Sequence, residues 1–294
     1  MFRGSIVALV TPMGADGELD LAGLDRLVDF HVGEGTDGLV IAGTTGESPT
    51  LEADELETLV ARAVAAAQGR VPVIGGSGTN STAKTIELTR RVARAGADAA
   101  LVVTPYYNKP VQAGLAAHYR AVADASDVPV VLYNVPGRTA CDLAPETAAE
   151  LAAHGNIVGL KEAVPEPSRW RALMELCPED FCLLSGDDAT AMDFIAAGGK
   201  GVVSVTANVA PRLMHGLCEA ALRGENRKAA SINDRLEQLH GAMFLESSPI
   251  PVKWAVSQLG LIGEGIRLPL TRLAPEYEAP LLAAMRTAGI EPAE

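Results

Sequence analysis

The sequence has few basic residues and no long apolar segment. Its 294 residues include 24 Lys and Arg against 37 Asp and Glu, which gives a net charge of −13. Without a basic stripe or tail, nucleic acid and anionic membrane surfaces are poor partner candidates. No segment approaches the ~18 consecutive apolar residues of a membrane-spanning helix, and the first residues do not resemble a signal peptide. We therefore expect a cytoplasmic location.

Cysteine and histidine are also scarce. The four cysteines show no C-x-x-C spacing, which predicts free and buried thiols. The five histidines form no H-E-x-x-H motif and lie beside no cluster of carboxylates. We therefore expect no metal and no cofactor. The composition, 48% hydrophobic and 21% charged, nevertheless suits a folded globular protein.

Short β-branched apolar segments, in contrast, recur along the chain. Their nearly continuous hydrophobicity is typical of parallel strands buried on both faces. Helical stretches of roughly 10–15 residues separate them, and in the first of these Asp20 is a candidate N-cap. Eight strands at a spacing of roughly 25–30 residues predict a (β/α)8 TIM barrel rather than a doubly wound open sheet. The predicted strands are 5–10, 38–43, 71–76, 98–104, 128–134, 156–163, 181–186 and 201–205.

The strand pattern stops near residue 225, and the remaining segments have the pattern of helices separated by proline-containing turns. We therefore expect two domains, a catalytic barrel over 1–225 and a C-terminal helical domain over 226–294.

Two glycine-rich segments resemble nucleotide-binding motifs only superficially. Gly33, Gly35 and Gly38 fit G-x-G-x-x-G but follow a predicted helix and enter a strand, so they indicate the end of a helix. The loop over 75–80 follows a strand, yet it lacks the Gly-Lys-Ser/Thr ending of a P-loop. A nucleotide site is not indicated.

Polar residues at the carboxyl ends of the predicted strands are the best candidates for chemistry, because barrel enzymes place their sites on that face. Lys161 ends strand six after an apolar run, so its ammonium should be partly desolvated, which favours a neutral nucleophilic amine. The alternative is a lysine that extends from the strand end into water.

Hydroxyl groups are predicted at the same face. Tyr133 ends strand five, while Thr44 and Thr45 follow strand two in a turn that offers backbone N–H groups to a small carboxylate. Singly, such residues are more often a packed tyrosine and an ordinary turn. Their predicted convergence with Lys161 favours a site.

Two loops carry further candidates. Arg138 lies on the loop that leaves strand five, where a guanidinium can bind a carboxylate through two hydrogen bonds; a solvated surface arginine is the alternative. Tyr106 and Tyr107 follow strand four, and a tyrosine pair on a loop can equally form an interface.

Seven motifs, in order along the whole chain, resemble the dihydrodipicolinate synthase family. The resemblance implies that Lys161 forms an imine with pyruvate, whose enamine adds to L-aspartate 4-semialdehyde to give 4-hydroxy-tetrahydrodipicolinate, a step of the diaminopimelate route of lysine biosynthesis. The motifs are GTTGES (43–48), TPYYNKP (104–110), YNVPGRT (133–139), GLKEA (159–163), SGDD (185–188), SVTANV (204–209) and PIPVKW (249–254).

The resemblance also implies a role for each candidate. Tyr133 would be the general acid and base, in a proton relay with Thr44 and with Tyr107 of a neighbouring subunit. Such sharing requires an oligomer, and the resemblance implies a homotetramer built from two tight dimers. The implied substrate contacts are Thr45 with the pyruvate carboxylate, Arg138 with the semialdehyde carboxylate, and the backbone at Gly186 and Val203.

The chain departs from relatives that are inhibited by lysine. In the effector cleft that the resemblance implies, Ser48, Asn80 and Tyr106 are kept, whereas Ala53 and Leu56 replace histidines and Lys84 replaces a glutamate. A cation facing the ammonium of lysine is repulsive. We therefore expect weak or absent inhibition by L-lysine.

Two alternatives stay open at this point. Another pyruvate-dependent aldolase, such as N-acetylneuraminate lyase or a keto-deoxy sugar acid lyase, would share the lysine, the tyrosine and the threonine turn. Arg138 and the Tyr106–Asn108 segment favour the synthase. A non-catalytic sensor or structural oligomer is a second alternative, because fold resemblance alone does not establish activity.

Overall fold

Eight parallel strands close into one barrel in the computed structural model, which describes residues 2–293. Each strand pairs with the next one in sequence, and β8 pairs with β1. Every predicted strand is confirmed, and the open doubly wound sheet is excluded by this closure. The strands are β1 Gly4–Ala8, β2 Gly38–Ile41, β3 Val73–Gly76, β4 Ala99–Val103, β5 Val130–Asn134, β6 Ile157–Glu162, β7 Cys182–Ser185 and β8 Gly201–Ser204.

Helices surround the barrel and continue beyond it. A long helix follows most strands, as right-handed crossovers between parallel strands require. The helices are α1 Leu21–Gly33, α2 Ala53–Ala67, α3 Thr82–Arg94, α4 Gln112–Asp124, α5 Pro136–Thr139, α6 Pro145–Ala152, α7 Pro167–Leu176, α8 Ala191–Ala196, α9 Pro211–Leu222, α10 Asn226–Ala242, α11 Ile250–Gln258 and α12 Pro275–Thr287.

Local sequence signals explain the seam and the first helix. At the seam between β8 and β1, a Cβ on Gly201 would lie 2.1 Å from the carbonyl oxygen of Gly4, so only glycine allows the two strands to pair. The predicted N-cap of α1 is confirmed, because Asp20 accepts a hydrogen bond from the backbone N–H of Gly23 at 2.8 Å. Gly35, at φ +86°, follows the end of this helix.

Two apolar layers hold the barrel. Alternate side chains of the strands fill its interior, among them Ile6, Val40, Ile74 and Leu184. The opposite faces pack against the helices in one continuous core.

The C-terminal helices α10–α12 share that outer core, to which Leu236, Val252 and Leu281 belong. The chain passes from α9 to α10 between residues 222 and 226. Division into domains at residue 225 remains a prediction.

The four cysteines are free and buried, as expected from their spacing: Cys141, Cys177, Cys182 and Cys218. Within residues 2–293, no helix combines the length and the apolar character needed to cross a membrane.

Candidate active site

Lys161 and Tyr133 lie side by side at the carboxyl ends of β6 and β5. The strands pair in a register that sets the two residues opposite each other, and Lys161 Nζ lies 4.1 Å from the centroid of the tyrosine ring. Both residues are buried, with exposed fractions of 5% and 6%. The lysine therefore does not extend into bulk water, and its amine is held against an aromatic ring.

The neighbouring strands leave room for this lysine. A Cβ on Gly186 would lie 3.1 Å from Lys161 Cε and 2.9 Å from the Cβ of Ala163, so a larger residue would crowd the lysine stem. Val203, on β8, belongs to the same interior cluster as Tyr133. The structure thus brings Gly186 and Val203 to the barrel interior near Lys161 and Tyr133.

Thr44 and Thr45 occupy a tight turn after β2. A backbone hydrogen bond from Glu47 N to the Thr44 carbonyl closes the turn at 3.1 Å, and Thr45 is only 4% exposed. Two non-glycine residues with left-handed backbone, Ala42 at φ +54° and Glu47 at φ +60°, bracket the turn. Conformations of this kind cluster at functional sites.

A buried carboxylate anchors the end of β6 on its other face. Glu162 is 1% exposed and accepts hydrogen bonds from Arg169 Nε at 2.8 Å, from the backbone N–H of Val164 at 2.8 Å and from Asn134 Nδ2 at 3.1 Å. Burial raises the pKa of Glu162, and the Arg169 guanidinium opposes that rise. Since successive side chains of a strand point to opposite faces, this network fixes β6 without entering the barrel interior.

Thr44 and Arg138 line a cavity of about 550 Å³ outside the strand ends. Arg138 lies on α5, and its Nη2 donates to the carbonyl oxygen of Ser248 at 3.3 Å, so a C-terminal segment helps to orient it. Lys161 and Tyr133 are not among the described residues that line this cavity.

The positions that the resemblance assigns to an effector cleft line the same cavity, with one exception. Asn80 does not line it, although its carbonyl oxygen accepts a hydrogen bond from Asn108 Nδ2 at 2.8 Å. In a single chain, therefore, predicted substrate and effector residues share one cavity. Those on its wall are Ser48, Ala53, Leu56, Lys84 and Tyr106.

Tyr107 is largely exposed to solvent in the single chain. It is 89% exposed and has left-handed backbone at φ +74°. Within the described residues, no hydrogen bond joins Tyr133 to Thr44 or to Tyr107. The three-residue relay is therefore not assembled in one chain.

Two charged residues beside the site had no role predicted from the sequence. Glu47 and Lys253 form a buried ion pair that links the threonine turn to α11. A signal was present, because Lys253 is the one charged residue in the apolar segment 250–256 and both residues lie in motifs that carry the family resemblance.

A closed (β/α)8 barrel with a buried lysine at the carboxyl end of a strand is typical of enzymes that use an amine nucleophile. Comparison with known proteins identifies one family within this class of enzymes. Residues 1–288 match the Dihydrodipicolinate synthetase family, and the chain belongs to this family.

Similar proteins cover the chain almost completely. The 4-hydroxy-tetrahydrodipicolinate synthase of Methylococcus capsulatus is 56% identical over 290 residues, which are 99% of this chain and 100% of that protein. The crystal structure of the chloride-inhibited dihydrodipicolinate synthase from Acinetobacter baumannii, complexed with pyruvate, has a TM-score of 0.97 and 47% identity, covering 99% of this chain and 100% of that one. The dihydrodipicolinate synthase structure from Aquifex aeolicus has a TM-score of 0.97 and 43% identity, with complete coverage of both chains (100% each).

Proposed function

We propose that this chain is a lyase that condenses pyruvate with L-aspartate 4-semialdehyde to 4-hydroxy-tetrahydrodipicolinate, in the diaminopimelate route of lysine biosynthesis. The observation that carries the proposal is the buried Lys161, with its amine 4.1 Å from the Tyr133 ring centroid. Full-length relatives named as this synthase support it, as does pyruvate in the related Acinetobacter structure.

The reaction begins on Lys161. Its neutral amine attacks the ketone carbon of pyruvate, and the adduct loses water to form an imine. Loss of a proton from the methyl carbon converts the imine to an enamine, with the protonated nitrogen acting as the electron sink. No metal and no cofactor enter this sequence.

The second substrate completes the reaction. The enamine carbon forms a bond to the aldehyde carbon of the semialdehyde, whose oxygen takes up a proton and becomes a hydroxyl group. The amine of the same substrate then attacks the imine carbon and closes the ring. The bond from that carbon to Lys161 breaks, and the lysine returns as a free amine.

Proton transfers are assigned to Tyr133, in a relay with Thr44 and with Tyr107 of a neighbouring subunit. Tyr107 is 89% exposed in the single chain, which supports a role for its side chain in the site of a neighbouring subunit. A shared relay requires an oligomer, and we propose a homotetramer made of two tight dimers. A cytoplasmic location remains a prediction from the sequence.

Substrate binding is assigned to four other positions. The turn at Thr45 offers its backbone N–H groups and hydroxyl to the pyruvate carboxylate, and Arg138 binds the carboxylate of the semialdehyde. The backbone at Gly186 and Val203 lines the pocket around the imine. Because the protein has a net charge of −13, these local donors must hold anionic substrates against an unfavourable overall field.

Borohydride reduction in the presence of pyruvate tests the proposal directly. Reduction should trap a pyruvyl adduct, which intact mass and peptide mapping should locate on Lys161; Lys161→Arg, which lacks the nucleophilic amine, is the control. If the wild-type protein gives no adduct, every pyruvate aldolase function is rejected. Turnover of N-acetylneuraminate or a keto-deoxy sugar acid, without turnover of the semialdehyde, would instead favour the other lyases.

A further inference from the structure

Glu47 and Lys253 form an ion pair that is removed from water, with side chains 0% and 3% exposed. They are 206 residues apart in the sequence. Lys253 Nζ donates to one carboxylate oxygen of Glu47, and the backbone N–H of Arg267 donates to the other at 3.1 Å. The C-terminal segment therefore holds both oxygens of a residue that ends the threonine turn.

Stability alone is a weak explanation for this pair. Taking two charges out of water costs free energy that their attraction often fails to recover, and apolar replacements of such pairs are frequently neutral or stabilising. Burial lowers the pKa of Lys253, and the nearby Glu47 carboxylate opposes that shift. A pair that is costly to bury therefore points to a benefit other than stability.

The backbone of the turn indicates what that benefit is. Ala42 and Glu47, neither of them glycine, both have left-handed backbone on either side of Thr44 and Thr45. Such conformations persist only where surrounding contacts fix them. A Cβ on Gly46 would lie 3.0 Å from the Ala42 backbone, which shows how tightly the turn is folded on itself.

We propose that Glu47 and Lys253 are positioning residues for the pyruvate half-reaction. The ion pair fixes the strained turn, so that Thr44 and Thr45 meet the substrate in a preset geometry. The inference rests on the proposed function. Displacing a positioning group by about 1 Å can reduce rates by about 100-fold.

Three variants separate positioning from stability. Glu47→Gln and Lys253→Met each leave one buried charge without its partner, so both should lower the melting temperature and the kcat/KM for pyruvate. The double variant Glu47→Gln/Lys253→Met removes both charges, so its melting temperature should recover toward that of the wild type. Its kcat/KM for pyruvate should nevertheless stay about 10- to 100-fold low, because the turn has lost its anchor.

Glu55→Gln is the matched control. Glu55 pairs with the Arg267 guanidinium, at 2.7 Å from Nη1, so this substitution loosens the same C-terminal segment without touching the Glu47 carboxylate. It should lower the melting temperature while leaving the kcat/KM for pyruvate within about threefold of the wild type, a change smaller than one strong hydrogen bond contributes.

A double variant that regains both melting temperature and pyruvate kcat/KM would overturn the inference, since the pair would then be structural only. So would a control that loses pyruvate kcat/KM as severely as Glu47→Gln. Borohydride trapping of pyruvate on the wild-type protein is run in parallel. A wild type without an adduct would reject the proposed function itself, which is a different result from unchanged kinetics in the variants.

Discussion

Lys161 Nζ lies 4.1 Å from the centroid of the Tyr133 ring, and the two residues are paired in register across β5 and β6. The pairing places the aromatic ring of Tyr133 next to the Lys161 amine. The packing of the ring can therefore be tested separately from the hydroxyl group, because the ring packs against the lysine whether or not it carries that group.

Tyr133→Phe keeps the ring and removes only the hydroxyl group. If that group transfers protons, kcat should fall by about 10²- to 10⁴-fold, with an unchanged circular dichroism spectrum and melting temperature. Steady-state kinetics with both substrates measure the effect. A kcat within about threefold of the wild type, well short of the usual contribution of a general acid, would remove Tyr133 from the proton transfers.

A pair of tyrosine variants can test whether Tyr107 of one subunit acts in the active site of another. Tyr107→Phe and Tyr133→Phe should each have low activity. If Tyr107 acts in a neighbour's site, a mixed oligomer contains sites that carry both intact tyrosines, so mixing the two inactive proteins after dissociation and reassembly should restore activity. Each variant reassembled with itself is the control. Mixtures that stay as inactive as their components would contradict action across the interface.

Substitution of Arg138 should weaken the reaction with the semialdehyde more than the reaction with pyruvate. Arg138→Lys keeps a positive charge but loses the planar pair of donors, so kcat/KM for the semialdehyde should fall by roughly 10- to 100-fold, as expected for a lost charge-assisted hydrogen bond. Borohydride trapping of pyruvate should continue at the wild-type rate. An equal loss in the pyruvate half-reaction would show that the residue acts on the turn or on folding instead.

Inhibition by L-lysine should be weak or absent. Lys84 lines the same cavity as Ser48 and Tyr106, and its cation would repel the side-chain ammonium of a bound lysine. Activity should therefore persist at millimolar L-lysine, and Lys84→Glu should increase any residual inhibition because it supplies a carboxylate. Half-maximal inhibition of the wild type by submillimolar lysine would reject this prediction.

The strands could be predicted from the sequence because they depend on local patterns. Each strand buried on both faces is a short apolar run, and the run before Lys161 located the lysine at a strand end. Asp20 was likewise recognisable as a cap, since its hydrogen bond reaches only three residues along the chain.

Contacts between distant segments could not be predicted in the same way. The hydrogen bond from Arg138 to Ser248 spans 110 residues, and the Glu47–Lys253 pair spans 206. Neither leaves a periodic pattern, because each depends on how the C-terminal helices pack on the barrel. The exposure of Tyr107 also depends on a left-handed backbone that nothing in the segment TPYYNKP specifies.

His31 provides a prediction on stability and pH. It is fully buried, its Nδ1 lies 3.0 Å from Thr36 Oγ1, and its Nε2 has no hydrogen-bond partner in the described part of the chain. Burial lowers the pKa of His31 from 6.5 to about 3. The unfolded chain therefore binds a proton at this site between these two pH values while the folded chain does not.

The sign of the effect follows from that difference in proton binding. The contribution of His31 to the free energy of unfolding is fully present above pH 6.5 and is lost as the pH falls toward 3, at about 1.4 kcal/mol per pH unit. The free energy of unfolding, measured with urea at one fixed protein concentration, should therefore fall between pH 7 and pH 5 in the wild type. This decrease should be about 2 kcal/mol smaller in His31→Gln. Between pH 7 and pH 8 the free energy of unfolding should change with pH by the same amount in the two proteins. An equal loss in both proteins on going to pH 5 would mean that His31 accepts its proton without unfolding.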